Sequence, residues 1–119
     1  MLFRSAPVKL ALNGSGADEV AGALATAHAL WDAQEAWYQR IVACAIEWLL
    51  PLKNDNWLKD GEEPLTAAVF AGRMSLTSIS VDQGGTFQFW FNDGDLFLGH
   101  SITVDGDLQN GPKDSNVEG

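Results

Sequence analysis

The order of apolar and polar residues along the chain predicts its first two elements. Residues 8–12 (VKLAL) alternate between apolar and other side chains, as a short strand does. NGSG ends this strand, and Asp18 and Glu19 lie where acidic residues favour the start of a helix. The next apolar residues recur at spacings of four, three and four, the period of one helix face. We expect this stripe to be buried: Val20, Leu24, Ala27 and Trp31.

A second helix is predicted after a kink or short break near residues 32–34. Its inner side carries another apolar stripe: Trp37, Ile41, Cys44, Ala45, Trp48 and Leu49. The helix should end at Pro51 or close to it, because the residue before a proline disfavours the helical conformation. A polar connection follows, with Trp57 as its apolar anchor. Residues 64–74 (PLTAAVFAGRM) then predict one or two helical turns that stop near Gly72.

The rest of the chain predicts three antiparallel strands, and the first connection, DQGG, allows two registers. A two-residue loop would set Ile79 and Val81 beside polar residues. A three-residue loop over residues 83–85 sets them beside Phe89 and Phe87 instead. Because a slip of one residue turns both aliphatic side chains to the wrong face, the three-residue loop is favoured. Gly85 then supplies the left-handed position that such a loop needs.

Asp93–Gly94 predicts the second turn, since this dipeptide favours a two-residue type I′ loop. The inner-face pairs would be Phe91 with Leu96, Phe89 with Leu98, and Phe87 with His100. On the outer face, Trp90 and Phe97 would be neighbours beside Asp93 and Asp95. An aromatic patch with an acidic rim is typical of a protein-binding surface, so these four residues are the candidate partner-binding site. The alternative is that an N-terminal strand, residues 53–64 or the tail covers the patch.

These elements predict one α+β domain over residues 1–119. Its order is a short N-terminal strand, a two-helix hairpin, a short helix, and a three-stranded antiparallel β-meander packed on the helices. Each element has one apolar stripe to bury, so the helices should cover the inner face of the sheet.

The net charge of the chain limits the classes of partner that it could bind. The chain has 119 residues and a net charge of −9, and residues 61–119 hold two basic residues against nine acidic ones. This half would repel nucleic acid, and no apolar run is long enough to span a membrane. The acidic half is compatible with a basic protein partner. The alternative is that its charge only keeps the protein soluble. A single cysteine, Cys44, and the lack of a signal sequence favour the cytoplasm.

No catalytic, cofactor or metal site is predicted. Asp95 and His100 differ by five positions, so on a strand they would point to opposite faces and could not share an ion with Asp93. DGDLQNG lacks the third acidic residue and the closing glutamate of a calcium loop and fits a turn better. Cys44 lies in a buried helical stripe, where a thiol behaves as a small hydrophobe. His100 should face the core, bonded to a backbone group or a carboxylate.

The chain resembles a family of uncharacterised bacterial proteins, a domain of unknown function. The resemblance rests above all on GTFQFWFNDGDLFLGHSITVDGDLQNGP, with its pattern F-x-F-W-x-x-D-G-D-L-F-x-G-H-x-I-x-V. It implies no catalytic residues. Relatives carry strand-like sequence ahead of the match to PVKLALN, which implies N-terminal strands that this chain lacks.

Three hypotheses for function follow. The first is a non-enzymatic interaction module, immunity-like or regulatory, that binds a basic protein through its acidic C-terminal half. The second is a small-ligand-binding protein or enzyme with a pocket near His100. The third is a subunit of a homo-oligomer that pairs through the face of Trp90.

Overall fold

The computed structural model describes residues 2–4 and 6–118 and confirms the α+β class. The helices are α1 (Ala17–Asp32), α2 (Gln34–Asn56) and α3 (Ala67–Arg73). The strands are β1 (Leu2–Phe3), β2 (Ala6–Pro7), β3 (Lys9–Leu12), β4 (Ser75–Val81), β5 (Thr86–Asn92), β6 (Ser101–Asp107) and β7 (Gly111–Glu118). β1 and β2 form a two-stranded hairpin, and the others form one sheet in the order β3-β4-β5-β6-β7.

The sheet is larger than the predicted three-stranded meander. It has five strands: β3 runs parallel to β4, and the remaining neighbours are antiparallel. Residues 8–12 were correctly predicted as a strand, but the parallel pairing was not anticipated. The last strand, β7, was missed because its sequence, GPKDSNVE, has only one large apolar residue to mark a buried face.

The predicted hairpin of two packed helices is wrong. The break falls at Ala33 (φ −125°, ψ 40°), as expected, but α1 and α2 share few contacts. α2 packs mainly along β7, whereas α1 packs against the Gln83–Gly85 turn. Each helix therefore covers a different part of the sheet instead of covering its neighbour.

The buried face of α1 also differs from the prediction. Val20, Leu24 and Trp31 are 37%, 43% and 46% exposed. The buried residues are Ala23, Thr26, Ala27 and Leu30. Small residues on this side let the helix approach the 83–85 turn closely: a Cβ on Gly22 would lie 2.6 Å from the Cβ of Gln83. The Thr26 hydroxyl also donates to the Asp82 carbonyl at 2.8 Å.

The second helix does not end at Pro51 but continues to Asn56. The side chain of Lys53, one turn from the end, is fully buried. Its ammonium donates to the Trp57 carbonyl at 2.7 Å and to Glu62 at 2.9 Å. These bonds stabilise the last turn of the helix. They offset the loss of the backbone hydrogen bond that Pro51, which has no N–H, cannot donate. Trp48, expected in the core, is 52% exposed.

The connection between β4 and β5 is as predicted. Gln83–Gly85 forms the loop, Ile79 pairs with Phe89 and Val81 pairs with Phe87. Gly85 has a φ of +92°, the left-handed conformation that this position requires.

The predicted hairpin at Asp93–Gly94 is wrong. Phe91 pairs with Ile102 and Phe89 with Val104, so the returning strand begins only at Ser101. Residues 93–100 form a loop, here called the 93–100 loop. Positive φ angles at Gly94, Asp95, Leu98 and Gly99 are incompatible with an extended strand.

Aromatic packing explains why residues 93–100 form a loop instead of a two-residue turn. Phe97 is fully buried, edge-on to Trp57 at 5.4 Å and to Phe70 at 6.2 Å between ring centroids. Leu96 is buried with it. The loop thus closes the core beneath α3, and Trp57 is the apolar anchor that the sequence predicts.

Candidate functional site

The helices cover one face of the five-stranded sheet and leave the other without a helix. The inner side chains of β5 contact α2, with Phe87 edge-on to Trp37 at 5.4 Å. The opposite side chains form a surface called here the polar face. By the strand registers its main members are Asn13, Ser80, Thr86, Gln88, Trp90, Asn92, Ser101, Thr103, Asp105, Asp107, Asp114, Asn116 and Glu118. Hydroxyls, amides and carboxylates dominate it, and Trp90 is its one aromatic residue.

Three polar side chains lie in a row across three strands of this face, next to Trp90. The indole N–H of Trp90 donates to Gln88 Oε1 at 2.8 Å. Gln88 lies directly opposite Asp105 on β6. Asp105 in turn lies directly opposite Asp114 on β7, so the two carboxyl groups are neighbours on this face.

The electrostatics of the face follow from this arrangement. Burial raises the pKa of Asp105, and the neighbouring charge of Asp114 raises it further. Asp107 behaves in the opposite way: the Asn110 backbone N–H and the Lys113 ammonium, 3.0 Å away, lower its pKa to about 2. Asp107 is therefore paired with a cation, whereas the Asp105–Asp114 pair has no Lys or Arg partner among the described residues.

A groove of about 350 Å³ opens beside this pair. Its walls come from four strands and from the turn before β5. They are formed by Asn13, Ser80, Asp82, Thr86, Phe87, Gln88, Asp105, Gly106 and Lys113. The groove offers hydrogen-bond donors, acceptors and two carboxylates, and its one ammonium group, that of Lys113, is already paired with Asp107, so it suits a polar or positively charged group.

The structure separates the residues of the predicted aromatic patch. Trp90 lies on the polar face, half-buried, opposite Ser78 and Thr103. Phe97 belongs to the 93–100 loop and is buried in the core. The two are not cross-strand neighbours, because the register that joined them does not form. Phe97 therefore contributes nothing to an exposed surface.

The two predicted acidic residues have different roles. Asp93 is 2% exposed, and its carboxylate accepts from the backbone N–H groups of Asp95, Phe97 and Gly99 at 3.0, 2.8 and 3.1 Å. It organises the 93–100 loop and cannot reach a partner. Asp95 is exposed and paired with Lys59 at 2.7 Å, and this pair lowers the pKa of its carboxyl.

His100 lies at the end of the loop and not opposite Phe87. Its ring is edge-on to Trp57 at 5.7 Å, and Nδ1 donates to the carbonyl of Phe97. The expected bond to a backbone group is thus present. The imidazole is engaged in packing, and within the part of the chain that the structure describes no carboxylate is bonded to it. Among the described residues, no three His, Cys, Asp or Glu side chains are grouped closely enough to hold a metal ion.

Sequence reasoning missed the residues that the sheet brings together. Gln88, Asp105 and Asp114 were not candidates, because the last two depend on the β6–β7 pairing. One signal was available in the sequence. Apolar and polar residues alternate along ITVDGD, and this alternation continues past Val104 and places Asp105 on the outer face.

Comparison with known protein families gives a match over nearly the whole chain. Residues 1–117 match a family described as an uncharacterized protein conserved in bacteria (DUF2262). The chain belongs to this family. No curated protein and no solved structure matches the DUF2262 chain. Within the described residues, its helices are too short or too polar to cross a membrane.

Proposed function

We propose that this DUF2262 domain is a non-enzymatic interaction module, of a regulatory or immunity-like kind, that binds a basic protein partner through its polar face. The observation that carries the proposal is the Asp105–Asp114 pair beside an open groove. A partner's cationic group placed beside these two neighbouring carboxyl groups would relieve the repulsion between them.

The surroundings of the pair support a binding role. The Trp90 indole fixes the side chain of Gln88, which lies directly opposite Asp105, so this part of the surface is pre-organised before any partner arrives. Trp90 is half-buried and can add apolar and cation–π contact to a basic side chain. The excess of acidic residues in the second half of the chain would also steer a basic partner toward this face.

The two other hypotheses have less support. A pocket near His100 would need a free imidazole, and the ring is occupied by Trp57 and the Phe97 carbonyl. Pairing of two copies through the face of Trp90 would bring two acidic surfaces together, which is unfavourable. We place the domain in the cytoplasm, where its one thiol, Cys44, would remain reduced.

A charge-matched capture experiment tests the proposal. Three immobilised baits are exposed to a lysate of the native host: wild type, the double variant Asp105→Asn plus Asp114→Asn, and the double variant Asp18→Asn plus Asp32→Asn. Both variants gain two units of net charge, but the second is altered only on exposed positions of α1.

The expected result is a set of basic proteins bound by the wild type and by the α1 variant, and lost from the polar-face variant. If both variants retain the same proteins as the wild type, or lose them equally, the polar face is not the binding surface. Quantitative mass spectrometry of the bound fractions gives the comparison.

A further inference from the structure

One edge of the sheet is long, and no strand of the described residues pairs with it. β7 spans Gly111–Glu118, the longest strand of the sheet, and lies at the end of the strand order with β6 as its one strand neighbour among the described residues. An edge strand presents a row of backbone N–H and C=O groups that another extended chain can pair with. The opposite edge is much shorter: β3 has four residues and follows Pro7 closely.

Two different surfaces flank this edge. On the helix side, α2 and the start of β7 form a groove of about 310 Å³. Its walls combine apolar and charged residues: Ala43, Cys44, Trp48 and Pro112 with Arg40, Glu47 and Lys113. Trp48 is 52% exposed there. On the other side, Asp114 and Glu118 project onto the polar face. A strand added to β7 would thus have the exposed ring of Trp48 near one set of its side chains and carboxylates beside the other set.

We propose that β7 is a docking edge for an extended segment of the partner, which adds to the sheet as a sixth strand. The segment would alternate apolar side chains, directed at the Trp48 groove, with lysine or arginine side chains, directed at Asp114 and Glu118. Main-chain hydrogen bonds supply affinity in this mode, and the alternating pockets supply specificity. This inference rests on the proposed function, because it assumes a basic partner.

Charge complementarity selects this occupant over a second copy of the chain. Two β7 strands paired together would place Asp114 and Glu118 of one copy near the same residues of the other. A basic strand meets the opposite sign at each of these positions. The bulge between Asp105 and Gly106 and the missing N–H of Pro112 disrupt pairing at the start of β7, so residues 114–118 are the part that is available.

Amide hydrogen exchange on the intact domain tests the proposal. The probe is an acetylated and amidated peptide of four Lys-Val repeats, with four Glu-Val repeats as the control. At a probe concentration about ten times Kd, alternate amides within residues 114–118 should exchange about tenfold more slowly, and the Glu-Val peptide should have no effect. Docking on the polar face alone would leave these edge amides unchanged.

A pair of tryptophan variants adds a second readout. Trp48→Ala should weaken binding of the Lys-Val peptide several-fold. Trp31→Ala removes a comparably exposed tryptophan from α1 and should leave binding unchanged. Binding that is insensitive to Trp48→Ala, binding without protection of residues 114–118, or no binding at all would overturn the strand-addition proposal. The capture experiment with the polar-face variant is independent of these outcomes, so a failure here is distinguishable from a failure of the proposed function.

Discussion

Replacing Asp93 with alanine tests whether one buried carboxylate organises the 93–100 loop. The side chain is 2% exposed and accepts three backbone hydrogen bonds, from Asp95, Phe97 and Gly99. A hydrogen bond to a charged group contributes about 1.5 to 3 kcal/mol, and a buried N–H left without an acceptor is destabilising. The three bonds share one acceptor group, and the cost of burying the carboxylate offsets part of their gain.

We therefore expect Asp93→Ala to lower the free energy of unfolding by about 3 to 5 kcal/mol. Asp93→Asn keeps one acceptor oxygen and should lose less. Urea denaturation at 25 °C, followed by tryptophan fluorescence, measures both, and Trp57 reports on the loop because it contacts Phe97.

The matched control is Asp95→Asn, two positions away, which removes only an exposed ion pair with Lys59. Its effect should be much smaller than that of Asp93→Ala. A loss below about 1 kcal/mol for Asp93→Ala, or an equal loss for both aspartates, would refute the claim that Asp93 holds the loop.

Three further predictions concern other positions. Gly94→Ala should destabilise the domain far more than Gly99→Ala in the same urea assay: both have positive φ, but a Cβ on Gly94 would lie 2.2 Å from the Arg73 carbonyl oxygen, and one on Gly99 meets no atom within 4 Å. Burial raises the pKa of Cys44 to about 11, so iodoacetamide at pH 8 should alkylate the folded domain much more slowly than the urea-unfolded chain. Because the pKa of Asp105 is raised in the folded state, its protonated form favours folding, and this contribution is lost as the pH rises through the folded-state pKa. Asp105→Asn should thus be more stable than the wild type at pH 7, and its advantage should shrink as the pH falls through the folded-state pKa and vanish below the unfolded pKa of about 3.9.

The sequence predicts those parts of the fold in which local pattern and packing agree. The register of β4 with β5 follows from two aliphatic and two aromatic side chains that must share a face, and the break between the helices is also found at Ala33. The strand at residues 8–12 was likewise evident from alternation alone.

The errors arise where tertiary contacts override a local signal. Asp93–Gly94 has the composition of a two-residue hairpin turn, but burial of Phe97 against Trp57 and Phe70 draws the chain into a longer loop. In α1, the spacing of the large apolar residues predicts that they form the buried face. The small residues are buried instead, because that side of the helix approaches the turn at Gln83 closely.

The candidate site was hidden from sequence reasoning for a related reason. Asp105 and Asp114 become neighbours only through the pairing of β6 with β7, and β7 has a polar sequence with little periodicity. Trp90 was correctly placed on the face away from the helices, but its predicted aromatic neighbour lies in the core.

The most direct test of the central claim is the affinity of a captured basic partner for three purified proteins. These are the wild type, Asp105→Asn plus Asp114→Asn, and Asp18→Asn plus Asp32→Asn, compared by titration calorimetry at one salt concentration. Binding by the polar face predicts a Kd roughly tenfold or more weaker for the first double variant and nearly unchanged for the second. Equal Kd values for the two double variants would show that only net charge matters and would contradict a binding site on the polar face.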